Sequence, residues 1–206
     1  FSLIQLNTDL PINIERAIDL ASHEGYPGHH VFNSLMEKHL VNGQGWVEYS
    51  VYPLYSPLSL LAEGSANYGI HVAYNDVERL AFEKDVLFPL AGLDASKVEL
   101  YYQVQDVTGQ LSYAGNVAAK RYLDGDIDKA QAIAFLMKYA MSTEQKSTQR
   151  IGFFERYRAY VINYNLGQDL VKDYVEFRSG DDEQKRWQVF ADLLANPRSA
   201  SMMVVR

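Results

Sequence analysis

The sequence predicts a mostly α-helical fold in which several helices cross around one core. Three observations carry this expectation. Apolar residues recur at helical spacing in run after run, as with Ile14, Ala17, Ile18 and Ala21, or Ala130, Ile133, Ala134 and Met137. Residues suited to capping helices stand ahead of those runs, and Gly or Pro closes several of them. Strand-like alternation is confined to residues 2–7, where Leu3, Ile4 and Leu6 alternate with polar neighbours; a short edge strand or strand pair near the N-terminus is expected there. Each apolar stripe needs a partner to bury it, so a multi-helix arrangement follows. The 206 residues suffice for one large domain with a real core. No internal repeat, low-complexity tract or linker divides them, and residues 1–206 are read as a single domain.

Taken in order, Asn13 is placed to cap a first helix that runs directly into His23-Glu24. Gly25 and Pro27-Gly28 interrupt it, because Pro lacks an N–H and disfavours helix at the residue before it. A second run follows (Val31, Leu35, Met36, Leu40) and closes at Gly43 and Gly45. Trp46 to Pro57 is aromatic and Pro-bounded, and reads as an irregular segment over the core. Pro57 and Ser59 open a helix through Leu61, Ala62, Ala66 and Gly69. Asp76 caps the next, which ends near Pro89 and Gly92. Ser96 with Glu99 matches a capping box and starts a long helix to Leu123, kinked at Gly109 and Gly115. Asp126 begins another. Ser142 with Gln145 forms a second capping-box pair, leading through Ile151, Phe154, Tyr157, Val161 and Tyr164 toward Val175. Asp181 caps a last helix, stopped by Asn196-Pro197.

Composition removes several classes of function. The chain is 48% hydrophobic and 22% charged, which is ordinary for a globular protein. Its net charge of −7 and lack of any basic block argue against a nucleic-acid partner. No apolar run is long enough to span a membrane. Residues 1–5 lack a basic n-region and are not a signal peptide. With no cysteine, disulfides, thiolate zinc sites and Cys nucleophiles are excluded. The compartment is left open between cytoplasm and periplasm. A chain starting at Phe1 is expected to be a fragment or a processed form.

Three of the five histidines lie in His23-Glu24-Gly25-Tyr26-Pro27-Gly28-His29-His30. A catalytic zinc takes three protein ligands and keeps one position open. In His-Glu-x-x-His, two imidazoles one helical turn apart hold the ion and the Glu between them acts as general base. Here position 27 is Pro. In an unbroken helix His29 would point away from His23, and His30 would share its face ~10 Å along the axis. A bulge over residues 25–28 brings His29 back into the ligand role; His30 is the alternative. The third ligand is expected on a neighbouring helix. Glu63, inside Leu60-Leu61-Ala62-Glu63-Gly64-Ser65-Ala66-Asn67-Tyr68, is the best candidate, because an unpaired carboxylate in an apolar run is expensive unless an ion compensates it. His71 is a weaker candidate, and His39 reads as a surface residue.

These residues resemble a family of bacterial zinc-peptidase-like proteins catalogued as a domain of unknown function, which carry H-E-x-x-P-G-H-H and then E-G-x-A-x-Y. His23–His30 and Glu63-Gly64-Ser65-Ala66-Asn67-Tyr68 match both motifs in order. The resemblance is specific over residues 20–70 and looser beyond. The family's G-Q-x-x-S-Y-like segment is similar to Gly109-Gln110-Leu111-Ser112-Tyr113, which is one residue shorter. Members are well over twice this length, which implies that the chain is a C-terminal catalytic portion whose own N-terminal region is a partner. More distantly, the motif order looks like that of the helical gluzincins related to angiotensin-converting enzyme and thimet oligopeptidase.

The resemblance implies a gluzincin-like catalytic domain, a Zn²⁺ cofactor held by His23, His29 and Glu63, and a peptide substrate. Glu24 is then the general base that takes a proton from water and hands it to the leaving amine. A tyrosine hydroxyl, Tyr157 first and Tyr113 second, is expected to donate to the developing oxyanion. A zinc metallopeptidase is therefore the expected activity. Two other expectations compete: a non-catalytic helical binding module with a degenerate site, and a metal-dependent hydrolase of other amides or esters.

Overall fold

The computed structural model describes residues 3–7, 9 and 12–205, and no strand occurs among them. Residues 3–7 have no regular structure and are exposed. The alternation of Leu3, Ile4 and Leu6 finds no partner backbone, without which a strand does not form; Ser2 lies outside the described residues.

Helix α1 (Arg16–Leu20) passes without a break into a π-helical turn (Ala21–Gly25). After residues 26–28 comes α2 (His29–Met36), extended by a second π-helical turn (Glu37–Asn42). A 3-10 turn (Val47–Ser50) and an irregular stretch lead to α3 (Leu58–Ala73). Then follow α4 (Asp76–Phe82), α5 (Phe88–Leu90), α6 (Val98–Gly109), α7 (Tyr113–Leu123), α8 (Lys129–Tyr139) and α9 (Glu144–Tyr157). A 3-10 segment (Arg158–Asn163) separates α9 from α10 (Leu166–Ser179), and α11 (Glu183–Ala195) and α12 (Ala200–Met203) close the chain.

The apolar spacing located these helices well, but the caps differ by a residue or two. Asn75, not Asp76, caps α4, in a reciprocal capping box with Glu78. Asp94 accepts from the Ser96 amide ahead of α6, so the Ser96–Glu99 box does not form. Asp128 with Gln131 caps α8, Thr143 caps α9 and Asp182 caps α11. The expected long helix does break at Gly109, whereas Gly115 lies inside α7. The run through Tyr157 to Val175 is not continuous, because Arg158 adopts φ 52° and turns the chain.

Helix α3 is buried along most of its length, including Leu61, Ala62, Ala66, Tyr68 and Ile70, as expected of a helix apolar nearly all round. It packs with α2, α10 and α11 in one core that contains Phe32, Met36, Leu61, Tyr68, Val175, Phe190 and Leu194. A second core joins α7, α8 and α9 through Ala118, Ala132, Leu136, Ile151 and Phe154. Val161 of the 3-10 segment belongs to that second core, while the neighbouring Tyr160 reaches α3.

Helices α3 and α10 meet backbone to backbone. A Cβ on Gly64 would lie 2.3 Å from the carbonyl carbon and oxygen of Gly167, so only glycine permits this crossing. Elsewhere, Arg79 ties α4 to α1: its Nη2 donates to Asp19 Oδ1 at 2.8 Å and its Nε to Glu83 Oε1 at 3.0 Å. Glu83 is fully buried, and Tyr102 donates to its other oxygen. Every strong acceptor on that carboxylate is thereby engaged.

Candidate metal centre

The helix carrying His23 ends as a π-helical turn, and the chain then doubles back. The Gly28 amide donates to the Ser22 carbonyl at 3.0 Å. A Cβ on Gly28 would sit 2.0 Å from the His23 carbonyl oxygen; no other residue type fits so close an approach. Pro27 packs on Gly69 of α3, where an added Cβ would come within 3.1 Å of its Cγ. The Tyr26–Pro27 peptide is cis. This tight return starts α2 at His29 and sets the His29 ring edge-on to His23, with centroids 4.7 Å apart.

Glu63 comes up from α3 between the two imidazoles. His23 Nε2 is 3.4 Å from Glu63 Oε2, and His29 Nε2 is 3.5 Å from Glu63 Oε1. One donor atom from each of the three residues lies within 4.8 Å of the others. A tetrahedral zinc with ~2.0–2.1 Å bonds sets its ligand atoms ~3.3–3.4 Å apart. Each His–Glu separation is near that value, though to a different oxygen of Glu63, and with all three donors within 4.8 Å this His23-His29-Glu63 group could hold a metal ion.

Two further observations test the fit. Glu63 is only 7% exposed. Its Oε1 accepts from the Tyr160 hydroxyl at 2.6 Å, but its buried Oε2 has no hydrogen-bond partner. An orphaned carboxylate oxygen in such a place is costly unless a cation meets it. Burial pushes the Glu63 carboxyl up, yet the adjoining His23 and His29 imidazoles and the Tyr160 hydroxyl outweigh it and hold the group down at about 2. Glu63 is therefore an anion, the form that ligates.

The second test is the protonation of His23. Asn67 Nδ2 donates to the Tyr164 carbonyl at 2.7 Å, which turns Asn67 Oδ1 toward His23 Nδ1 at 2.8 Å. An amide oxygen only accepts, so Nδ1 carries a proton, and Nε2 is the nitrogen turned toward the group. Such an outer contact fixes both tautomer and ring direction. Asn67 lies one turn along α3 from Glu63, so a single helix supplies one candidate ligand and the brace for another.

The other expected residues fall at different places. Glu24 is half-exposed beside the group, with Oε1 3.9 Å from His23 Nε2. His30 is exposed and outside the three-residue group. His39 is exposed in the second π-helical turn, and His71 lines a separate cavity with Arg79 and Tyr102. Tyr157 ends α9, its ring 4.5 Å from Phe153 and 6.1 Å from Tyr160. Tyr113 starts α7 and donates its hydroxyl to Asp169 of α10, so its proton is committed away from the group. Burial pushes the Tyr164 hydroxyl up, and so do the nearby charges of Glu63 and, more weakly, Glu24.

Sequence reasoning missed Tyr160, Asn67 and Tyr164. Asn67 left a signal, being a polar residue inside the buried run of α3. Tyr160 and Tyr164 stand in the same aromatic run as Tyr157, but with fifteen tyrosines nothing in the residue types singles them out.

Comparison with family profiles, curated proteins and solved structures finds no match to this chain.

Proposed function

We propose that the chain is the metal-bearing portion of a zinc-dependent peptidase, a reading consistent with the resemblance of its two motifs to the zinc-peptidase-like family. The observation that carries the proposal is one piece of geometry. Two imidazole nitrogens and a buried carboxylate converge within 4.8 Å of one another, with a second, solvent-reaching carboxylate, Glu24, beside them.

His23, His29 and Glu63 would hold the ion, which when bound supplies Lewis-acid polarisation and acidifies water. The donor set of nitrogen and carboxylate oxygen suits zinc. Glu24 removes a proton from the attacking water and returns it to the leaving amine. Its half-exposed position lets it do both. Tyr160 keeps Glu63 oriented through its hydrogen bond. Tyr164, whose hydroxyl feels the charge of Glu63 and, more weakly, that of Glu24, is assigned the oxyanion-donor role in place of Tyr157 and Tyr113.

The test uses zinc-loaded protein and a library of short internally quenched peptides. Cleavage is expected. Glu24→Gln should retain about one zinc while turnover falls by about 10²–10⁴. Unchanged turnover in E24Q removes Glu24 from the base role. Absence of cleavage together with absence of stoichiometric zinc overturns the proposal.

A further inference from the structure

A second cleft, of about 780 Å³, lies among the N-terminal segment and helices α1, α6, α7, α8 and α9. Its described lining includes Arg16, Lys146 and Arg150 and not one Asp or Glu. That is unusual for a chain with 26 acidic and 19 basic residues. None of the three cations takes part in an ion pair among the described residues. Arg150 is the most enclosed of them. Its guanidinium packs over the rings of Phe153 and Phe154 at 4.9 and 5.5 Å. Burial weighs against its charge, and the one neighbour that favours it is Tyr164 rather than a carboxylate. An enclosed guanidinium with no anion beside it is prepared to receive one, and its planar fork suits a carboxylate.

Two lining residues link the cleft to the surroundings of the candidate metal centre. Leu20 lines it and precedes His23 by three residues on the same helical stretch. Phe153, also in the lining, has its ring 6.1 Å from Tyr164. Tyr164 lies within electrostatic reach of both Arg150 and Glu63. A peptide held by its end at Arg150 would thus have its nearby backbone beside Tyr164.

Building on the peptidase reading, we propose that this cleft binds the C-terminal α-carboxylate of the substrate. Arg150 provides the bidentate contact, Arg16 and Lys146 supply supporting positive potential, and Thr108, Ser142 and Gln149 line the same space with hydrogen-bonding groups. The substrate class is a short peptide with a free C-terminus.

The experiment is a calorimetric titration of the chelator-treated chain, which keeps any ion from binding the carboxylate itself. Three N-acetylated peptide probes are compared: a free acid, its C-terminal amide, and an amide bearing a Glu side chain. The free acid should bind at least about tenfold more tightly than the amide, and Arg150→Gln should erase that difference. Arg150→Lys should retain part of it. Should R150Q lose its helical circular dichroism, Lys146→Gln and Arg16→Gln carry the same comparison. Equal binding of acid and amide by the unmutated chain overturns the proposal. Preference for the Glu-bearing amide over the free acid overturns the assignment to the C-terminus. The peptidase reading fails separately: if zinc-loaded protein cleaves nothing while the acid preference and its loss in R150Q persist, the carboxylate cleft stands without it. If acid and amide peptides are cleaved with equal kcat/KM, the cleft assignment falls and the peptidase reading stands.

Discussion

Asn67 Oδ1 accepts from His23 Nδ1 at 2.8 Å, and the same amide donates back to the Tyr164 carbonyl. Three chain segments are thereby locked to one imidazole orientation. Asn67→Leu is expected to weaken zinc binding by about 10–100-fold, the usual effect of losing such an outer contact. Asn67→Asp keeps an acceptor at Nδ1 and should retain most of the affinity. Competition with a chromophoric chelator measures both, and unchanged affinity in N67L would remove Asn67 from this role.

The ligand set itself is tested by metal analysis after equilibrium dialysis. The unmutated chain should hold about one zinc. His23→Ala, His29→Ala and Glu63→Gln should each bring it near zero. His30→Ala should leave it unchanged, since the three-residue group contains His29 and not His30. Metal loss in H30A with retention in H29A would reverse the assignment.

Gly64→Ala forces a methyl group into the backbone of Gly167. Overpacking of this kind should cost about 1–3 kcal/mol, read by urea denaturation. Gly152→Ala is the control: it lies exposed in α9, with nothing within 4 Å of an added Cβ. That change should stabilise by about 0.5–1 kcal/mol through helix propensity. G64A should also weaken zinc binding, because the displaced residue is next to Glu63.

Alkaline stability follows from Tyr68. It is 1% exposed, and its hydroxyl lies 3.4 Å from Glu176 Oε1. Burial first, and the Glu176 charge second, push it up to about 12 from an ordinary 10.0. The folded state thus binds the proton more tightly than the unfolded one. This contribution to stability is whole below pH 10 and is lost as the pH rises toward about 12. Urea midpoints should therefore fall across that window, and the fall should be shallower in Tyr68→Phe measured against its own midpoint at neutral pH. An identical slope in both would refute the assignment.

Helix positions were legible because burial imposes its period on the sequence, as Leu61, Ala62, Ala66 and Gly69 show in α3. Caps were less so. Where two cap-capable residues stand together, as Asn75-Asp76 or Asp181-Asp182, backbone dihedrals select between them, and the letters do not carry that choice. The turn at Arg158 was hidden for a similar reason: a non-glycine residue at φ 52° announces itself by no Gly or Pro. At the candidate site, His23 and Glu63 were readable from residue type and the Pro-Gly break, while the choice of His29 over His30 hinged on how residues 25–28 fold. Tyr160 was not, because its approach to Glu63 depends on that same unannounced turn.

The return at Pro27-Gly28 has a consequence for how an ion would act on this chain. In a one-turn clamp, both imidazoles ride on one rigid helix, so metal binding orders little that is not already ordered. Here the donors come from the end of one helical stretch, the start of another and the middle of a third. An ion held among them is a non-covalent cross-link between separate pieces of backbone. Its release would loosen the joint at which those pieces meet, so susceptibility to proteolysis at residues 25–29 would report metal occupancy even if no substrate were ever found.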